Sequence, residues 1–147
     1  MSNAISAFQT LLKLGDGQSP EVFTTIAEIR SLGGPSMQAD VLDATVHNQA
    51  TPWREFISGL LDAGELQLEI NFIPTGATHT AAAAGGLLYN MRNRIQANYQ
   101  MVFPDSGGTT WTIPAIVTGF DMNADPSEIL SASVTLKING APTFNEA

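Results

Sequence analysis

The sequence contains no cysteine, which removes disulfide frameworks and thiolate metal sites from consideration. Basic residues are scarce: six Lys and Arg stand against 14 Asp and Glu, for a net charge of −8. So acidic a chain is a poor match for tight nucleic-acid binding, which needs cations on phosphates. Acidity does not exclude proximity to DNA, because an acidic wall repels a polyanion and keeps it from sticking. Charged residues make up only 14% of the chain, against a usual ~25%. A surface so low in charge suits a protein that covers much of itself with its neighbours. No apolar run approaches the ~20 residues of a membrane-spanning helix. The N-terminus has neither the basic region nor the apolar core of an export signal.

What is present is a pattern of alternation. The 147 residues suffice for one domain with a real core, here read as 1–147. From Glu65 to Phe72 the chain alternates without an error. Leu66, Leu68, Ile70 and Phe72 fall on one face, and Glu65, Gln67, Glu69 and Asn71 on the other. This is a strand with one dry and one wet face. Further strands are expected over Val22–Leu32, Met37–Val46, Ile95–Phe103, Thr109–Met122 and Glu128–Asn139. In the last, Leu130, Ala132, Val134, Leu136 and Ile138 point in, while Ser131, Ser133, Thr135, Lys137 and Asn139 point out. Pro114 and Gly119 predict an edge position or a bulge within Thr109–Met122.

One helix is expected, over His79–Arg94. Ala81 to Ala84 are strong helix formers, and Ala84, Leu87, Leu88, Met91 and Ile95 recur at helical spacing. Gly85-Gly86 would mark its close approach to a sheet. His47 to Leu61 is read as a long loop or short helical turn, anchored by Trp53 and Phe56. Residues 1–14 are read as a flexible arm and 141–147 as a tail. Strands with a single helix and tight turns indicate a mainly β antiparallel sandwich or barrel with one flanking α-helix.

No catalytic, cofactor or metal set emerges. His47 and His79 lie at element boundaries without the acidic or histidine neighbours a metal site needs. The glycine-rich stretches Gly15-Asp16-Gly17 and Gly33-Gly34-Pro35 lack the spacing and the lysine of a phosphate loop. Asp121, Asp125 and Glu128 do not make a calcium loop.

Several stretches, taken in order, carry a family likeness. They are Ile26-Ala27-Glu28-Ile29-Arg30-Ser31-Leu32-Gly33-Gly34-Pro35, Asp40-Val41-Leu42-Asp43-Ala44-Thr45 with its long following loop, and Leu66 to Phe72 before the single helix. Ala115 to Phe120 and Ser131 to Gly140 complete the set. The chain resembles the major tail tube proteins of long, non-contractile tailed bacteriophages. That family shares its fold with the tubes of contractile tails and of type VI secretion. With only a short stretch after Gly140, the C-terminal immunoglobulin-like domain of some members is not expected here.

The resemblance implies a structural virion protein, assembled in the host cytoplasm into the phage tail. Six copies would form a ring, and rings would stack into a tube whose channel conducts the double-stranded DNA genome. Its partners would be its own copies, a tape measure, a tail terminator and tail-tip proteins. Under that reading Glu65, Gln67, Glu69 and Asn71, with Asp40 or Asp43 nearby, face the lumen. His47, Trp53, Arg54 and Phe56 belong to a ring-stacking loop. Two rivals remain: a terminator, baseplate or secretion-tube ring protein, and a monomeric, lipocalin-like ligand-binding or enzymatic barrel with an apolar pocket.

Overall fold

A computed structural model of the chain describes residues 2–48 and 50–146; Met1, Gln49 and Ala147 lie outside it. Strands account for 45% of the described residues and helix for 4%. The strands are β1 (Leu11–Gly15), β2 (Phe23–Thr25), β3 (Ile29–Gly33), β4 (Gln38–Asp43), β5 (Phe56–Asp62), β6 (Glu65–Asn71), β7 (Gln96–Val102), β8 (Thr110–Asn123), β9 (Ser131–Ile138) and β10 (Thr143–Asn145). The helix α1 spans Leu87–Arg92.

The main sheet runs β2-β1-β7-β8-β9-β6-β3, with β10 on β8, and the pairings are antiparallel. Its two end strands, β2 and β3, are separated by only residues 26–28. So short a link forces the sheet to curl until its ends meet. The Ile26 N–H donates to the Leu12 carbonyl on β1 (2.9 Å), and the Asn71 N–H on β6 donates to the Glu28 carbonyl (2.9 Å). The segment 23–33 thus closes a barrel-like sandwich, pairing first with one edge of the sheet and then with the other. Closure removes the open edges that would otherwise invite unwanted strand pairing.

Alternation explains the core. Leu12 and Leu14 of β1, Tyr99 and Met101 of β7, Ile113, Ala115 and Val117 of β8, the even positions 132–138 of β9, and Leu66, Leu68 and Ile70 of β6 are all buried inside the curl. Leu87 of α1 is buried with them, and α1 packs on β8.

Five expectations need correction. The span Val22–Leu32 is two strands, because Glu28 takes a left-handed φ of 60° where the chain changes partner. The helix is six residues long rather than His79–Arg94. Gly85, at φ +98°, and Gly86, whose missing Cβ makes room for the Thr80 carbonyl, turn the chain sharply just before Leu87. The Thr78 and Thr80 carbonyls then accept the Leu87 and Tyr89 N–H groups. His79 is fully buried, accepting from the Ile73 N–H at Nδ1 (3.2 Å) and meeting the Ala27 carbonyl at Nε2 (2.8 Å). A helix through it would forfeit both bonds. Residues 11–14 of the supposed arm form β1, and residues 143–145 of the tail form β10. Finally, 56–61 is strand, not loop.

Pro114 sits in the middle of β8, not at an edge. Its carbonyl accepts from the Asn139 N–H (3.0 Å), where β9 has ended and β10 has not begun. The N and C=O of a strand residue point to the same side, so the proline's missing donor faces that gap. The expected bulge lies between Val117 and Gly119.

Candidate functional site

Two surfaces stand out, one polar and one apolar. The polar one is the outer face of β3, β6, β9 and β8. Antiparallel register lines its residues into cross-strand rows. One row is Ser31, Glu69, Ser133 and Asp121; the next is Gly33, Gln67, Thr135 and Gly119. Asn71, Ser131 and Asn123 form a third. Small hydroxyl and amide groups thus neighbour Glu69.

The face is less purely acidic than β6 alone suggests. Glu65 lies directly opposite Lys137. Lys137 Nζ is 3.1 Å from Asp62 Oδ1, the one ion pair among the described residues. Around the other glutamate, Glu69, Asp121 and Glu128 gather about a single cation, Arg30, in a shallow basin of about 470 Å³. Acids outnumber cations at both ends, three to one around Arg30 and two to one around Lys137. Asn71 is tied down, its Nδ2 donating to Glu28 Oε2 (3.1 Å).

Arg30 escaped the sequence reading because β3 is irregular between Ile29 and Ser31, which breaks its alternation. The outward positions of β9 were legible as such. Their place beside β6 was not, since it depends on strand order.

The second surface is the hairpin β4–β5, a separate two-stranded sheet. Since β3 pairs with β6 and β4 with β5, the chain from 29 to 71 is one long hairpin, its root inside the barrel and its outer half beyond it. The joint is built on Gly34 (φ +96°) and Gly64 (φ +79°). A Cβ on Gly34 would strike the Glu65 carbonyl, and one on Gly64 the Ser36 carbonyl. Asp62 braces the joint: Oδ1 accepts from the Gly64 N–H (2.9 Å) as well as from Lys137. Those contacts, the Gly64 N–H first and Lys137 second, hold its carboxyl below the usual aspartate range.

Every residue of β4 is exposed, and on β5 only Gly59 is partly covered. Leu42 and Ile57 share one face of the hairpin; Val41, Phe56, Ala39 and Leu61 share the other. Two residues of β5, Gly59 and Leu60, oppose Asp40, which makes a bulge. Leu60 and Leu61 are 81% and 80% exposed, and Trp53 near the tip 77%. A contiguous apolar surface of this kind marks an interaction site.

Asp40 and Asp43 therefore lie on this hairpin and not on the sheet that carries Glu65. Asp43 accepts from the Thr45 N–H (2.9 Å), and the Thr45 side chain and backbone hold its carboxyl low. His47, Trp53 and Arg54 lie exposed in the connection at the tip, and Phe56 opens β5 opposite Asp43.

A family model described as "Lambda phage tail tube protein, TTP" matches residues 9–145. The chain belongs to the lambda phage tail tube protein family. It is thus a structural protein of the virion tail. Its fold is shared with chains from particles of related kinds. A chain in the tail of an empty gene transfer agent particle with C6 symmetry is 20% identical, with a TM-score of 0.74, over 97% of this chain and 99% of that one. A chain of the sheath-tube complex of an extracellular contractile injection system (PVC) is 13% identical, with a TM-score of 0.69, over 100% and 95%. The SPP1 tail tube is 10% identical, with a TM-score of 0.66, over 98% and 80%. No curated protein sequence matches this one.

The two surfaces differ in what they can face. A polar, hydroxyl-rich sheet face can look onto water and a polyanion. An apolar hairpin cannot stay in water without cost, at about 25 cal/mol per Å² of apolar surface.

Proposed function

We propose that six copies of this tail tube protein close into a ring with the β3-β6-β9-β8 face inward. Rings stack through the β4–β5 hairpins into a tube that conducts the DNA genome. The observation that carries this reading is the cross-strand polar face. Its acids, Glu65, Glu69, Asp121 and Glu128, outnumber Arg30 and Lys137. Sixfold repetition turns the Ser31-Glu69-Ser133-Asp121 row into a ring of hydroxyls and carboxylates, flanked by rings of amides and hydroxyls. Phosphates are repelled from such a wall and slide along it rather than bind. The C6 symmetry of the similar gene transfer agent tail supports the sixfold count.

Electron microscopy of the purified protein at rising concentration tests the assembly, with open tubes of sixfold symmetry expected. Glu69→Lys together with Asp121→Lys in assembled tails tests the lumen. Intact tails with slowed DNA ejection are expected, and unchanged ejection would sink the lumen assignment.

A second reading has one observation in its favour. A chain from a PVC sheath/tube terminator shares the fold, with a TM-score of 0.70 at 13% identity. Single closed rings that never stack, in the same micrographs, would decide for a terminator role.

A further inference from the structure

Every asparagine in the chain but one is followed by a residue with a side chain; Asn139 precedes Gly140. The pair lies where β9 has ended and β10 has not begun, and both residues are exposed. Gly140 sits at φ +98°, with nothing within 4 Å of the place a Cβ would take. Among the described residues no backbone acceptor takes its N–H. A glycine nitrogen so placed is unshielded by any side chain of its own.

The pair Asp16-Gly17 has the same spacing and opposite circumstances. There the glycine N–H donates to Glu21 Oε1 (3.3 Å). Asp16 Oδ1 accepts from the N–H groups of Gln18 (3.0 Å) and Val22 (3.1 Å). A carboxylate is also a far weaker electrophile than an amide. Asn139 is held differently. Its N–H donates to the Pro114 carbonyl (3.0 Å), and its Nδ2 donates to Gln96 Oε1 (2.8 Å). The nitrogen that could attack is thus bonded at Gly17 and open at Gly140.

We infer that Asn139-Gly140 is a self-modification site, where the chain converts an amide into a carboxylate without an enzyme. The Gly140 nitrogen gives its proton to base and attacks Asn139 Cγ. A C–N bond forms, the Cγ–Nδ2 bond breaks, and Nδ2 takes up a proton and leaves as ammonia. The product is a cyclic succinimide. Water, the one co-reactant, then adds to either ring carbonyl and opens it. Cleavage of the new C–N bond gives aspartate. Cleavage of the original peptide bond gives isoaspartate, whose main chain runs through Cβ and Cγ. Nothing is oxidised or reduced.

The two products differ in consequence. Aspartate keeps the chain length, and Gln96 can turn its amide to donate to the new carboxylate. Isoaspartate inserts one methylene between the N–H pinned to Pro114 and strand β10. That strand pairs Thr143 with Thr112 and Phe144 with Trp111, and the Phe144 and Trp111 rings meet edge to face at 4.8 Å. The longer link moves β10 off this register. The change runs one way, adds negative charge to a chain already at −8, and does not depend on the tube reading.

The test holds the purified, folded protein at mildly alkaline pH and follows it by tryptic mass mapping. Cleavage after Lys137 releases a fragment that carries Asn139 and, as an internal control, Asn145. Replacement of NH2 by OH is expected at Asn139 and not at Asn145, growing with time, with isoaspartate among the products by fragmentation. Gln96→Ala frees the side-chain amide and should speed the conversion severalfold. Gly140→Ala crowds the attacking nitrogen and should slow it severalfold. An unchanged Asn139 in the folded protein, under conditions that convert the urea-unfolded chain, overturns the site. Conversion of Asn145 at the same rate overturns it as well. Amide exchange in β10 should be faster in the isoaspartate fraction and unaltered in an Asn139→Asp variant. Equal exchange in both and in the parent protein overturns the displacement of β10.

Discussion

The barrel and the hairpin are made of the same material and behave oppositely. On β6, apolar and polar residues alternate, and every apolar one is buried. On β4 and β5 apolar residues occupy both faces, and none of them is buried. The barrel strands find their cover within the chain because the sheet curls on itself. The hairpin leaves the barrel at the Gly34–Gly64 joint and finds none. Two-sided apolar strands suit a sheet buried on both sides. Here that burial has to come from other molecules. The single chain is therefore a finished domain with one unfinished element.

The largest effects should separate the two regions. Leu66→Ala in the barrel leaves a cavity and should cost about 3 kcal/mol in denaturant unfolding. Ile57→Ser in the hairpin should change that stability by no more than about 0.5 kcal/mol, yet suppress assembly in sedimentation or microscopy. Equal losses of stability at both sites would erase the contrast.

The joint comes next. Gly64→Ala puts a side chain at a left-handed φ and against the Ser36 carbonyl. A loss of about 2 kcal/mol is expected in thermal or denaturant melts. Assembly should fall as well, because the hairpin can no longer leave the barrel at its proper angle.

A smaller effect lies in the barrel core. Burial pushes the Tyr99 hydroxyl up to about 12 from 10.0, and the neighbouring Asn90 offsets this only in part. Among the described residues no partner stands in hydrogen-bonding geometry to its Oη. The unfolded chain loses this proton near pH 10 and the folded one near 12. The stability it contributes is complete below pH 10 and is lost as pH rises through that window. Tyr99→Phe should leave neutral-pH stability nearly unchanged and weaken the alkaline loss between pH 10 and 12, read by melting temperature against pH.

The smallest effect compares two turn carboxylates, Asp105 half-buried and Asp43 exposed. Asp105 accepts from the Thr109 hydroxyl (2.6 Å) and N–H (2.9 Å), which lower its pKa. Asp43 is lowered in the same way by Thr45. Both contribute above the unfolded value of 3.8, and that contribution is lost as pH falls through the lower folded values. Asp105→Asn in the β7–β8 turn should blunt the acid dependence of global unfolding. Asp43→Asn should act only locally, seen as faster amide exchange of Thr45 at neutral pH with no change in melting temperature.

How far the sequence could be read followed from how local each signal was. Alternation in β6 and β9 was decisive, since each strand carries its own buried face. The β5 strand was missed because Gly59 breaks its alternation at a bulge, a feature that needs the partner strand to be recognised. The helix was overextended because Ala81–Ala84 favour helix locally. The tertiary bonds of His79 to Ile73 and Ala27 outweighed that propensity.

Of the lumen-face candidates, Glu65, Gln67 and Glu69 were legible as one exposed row. Arg30, Asp121 and Lys137 joined them only through register. Asp40 and Asp43 lie apart from that sheet, on the β4–β5 hairpin, because the chain bends at two glycines.

By itself the sequence determined an acidic, cysteine-free, mainly β domain with a wet strand at Glu65–Asn71 and the family likeness. Composition and period-two patterning are written residue by residue. Only the tertiary structure decided which strands lie side by side and that residues 26–28 close the sheet. It also decided that the hairpin stands outside the barrel with its apolar faces bare. Those outcomes depend on pairings between segments far apart in the chain, where one residue of register moves every side chain to the opposite face.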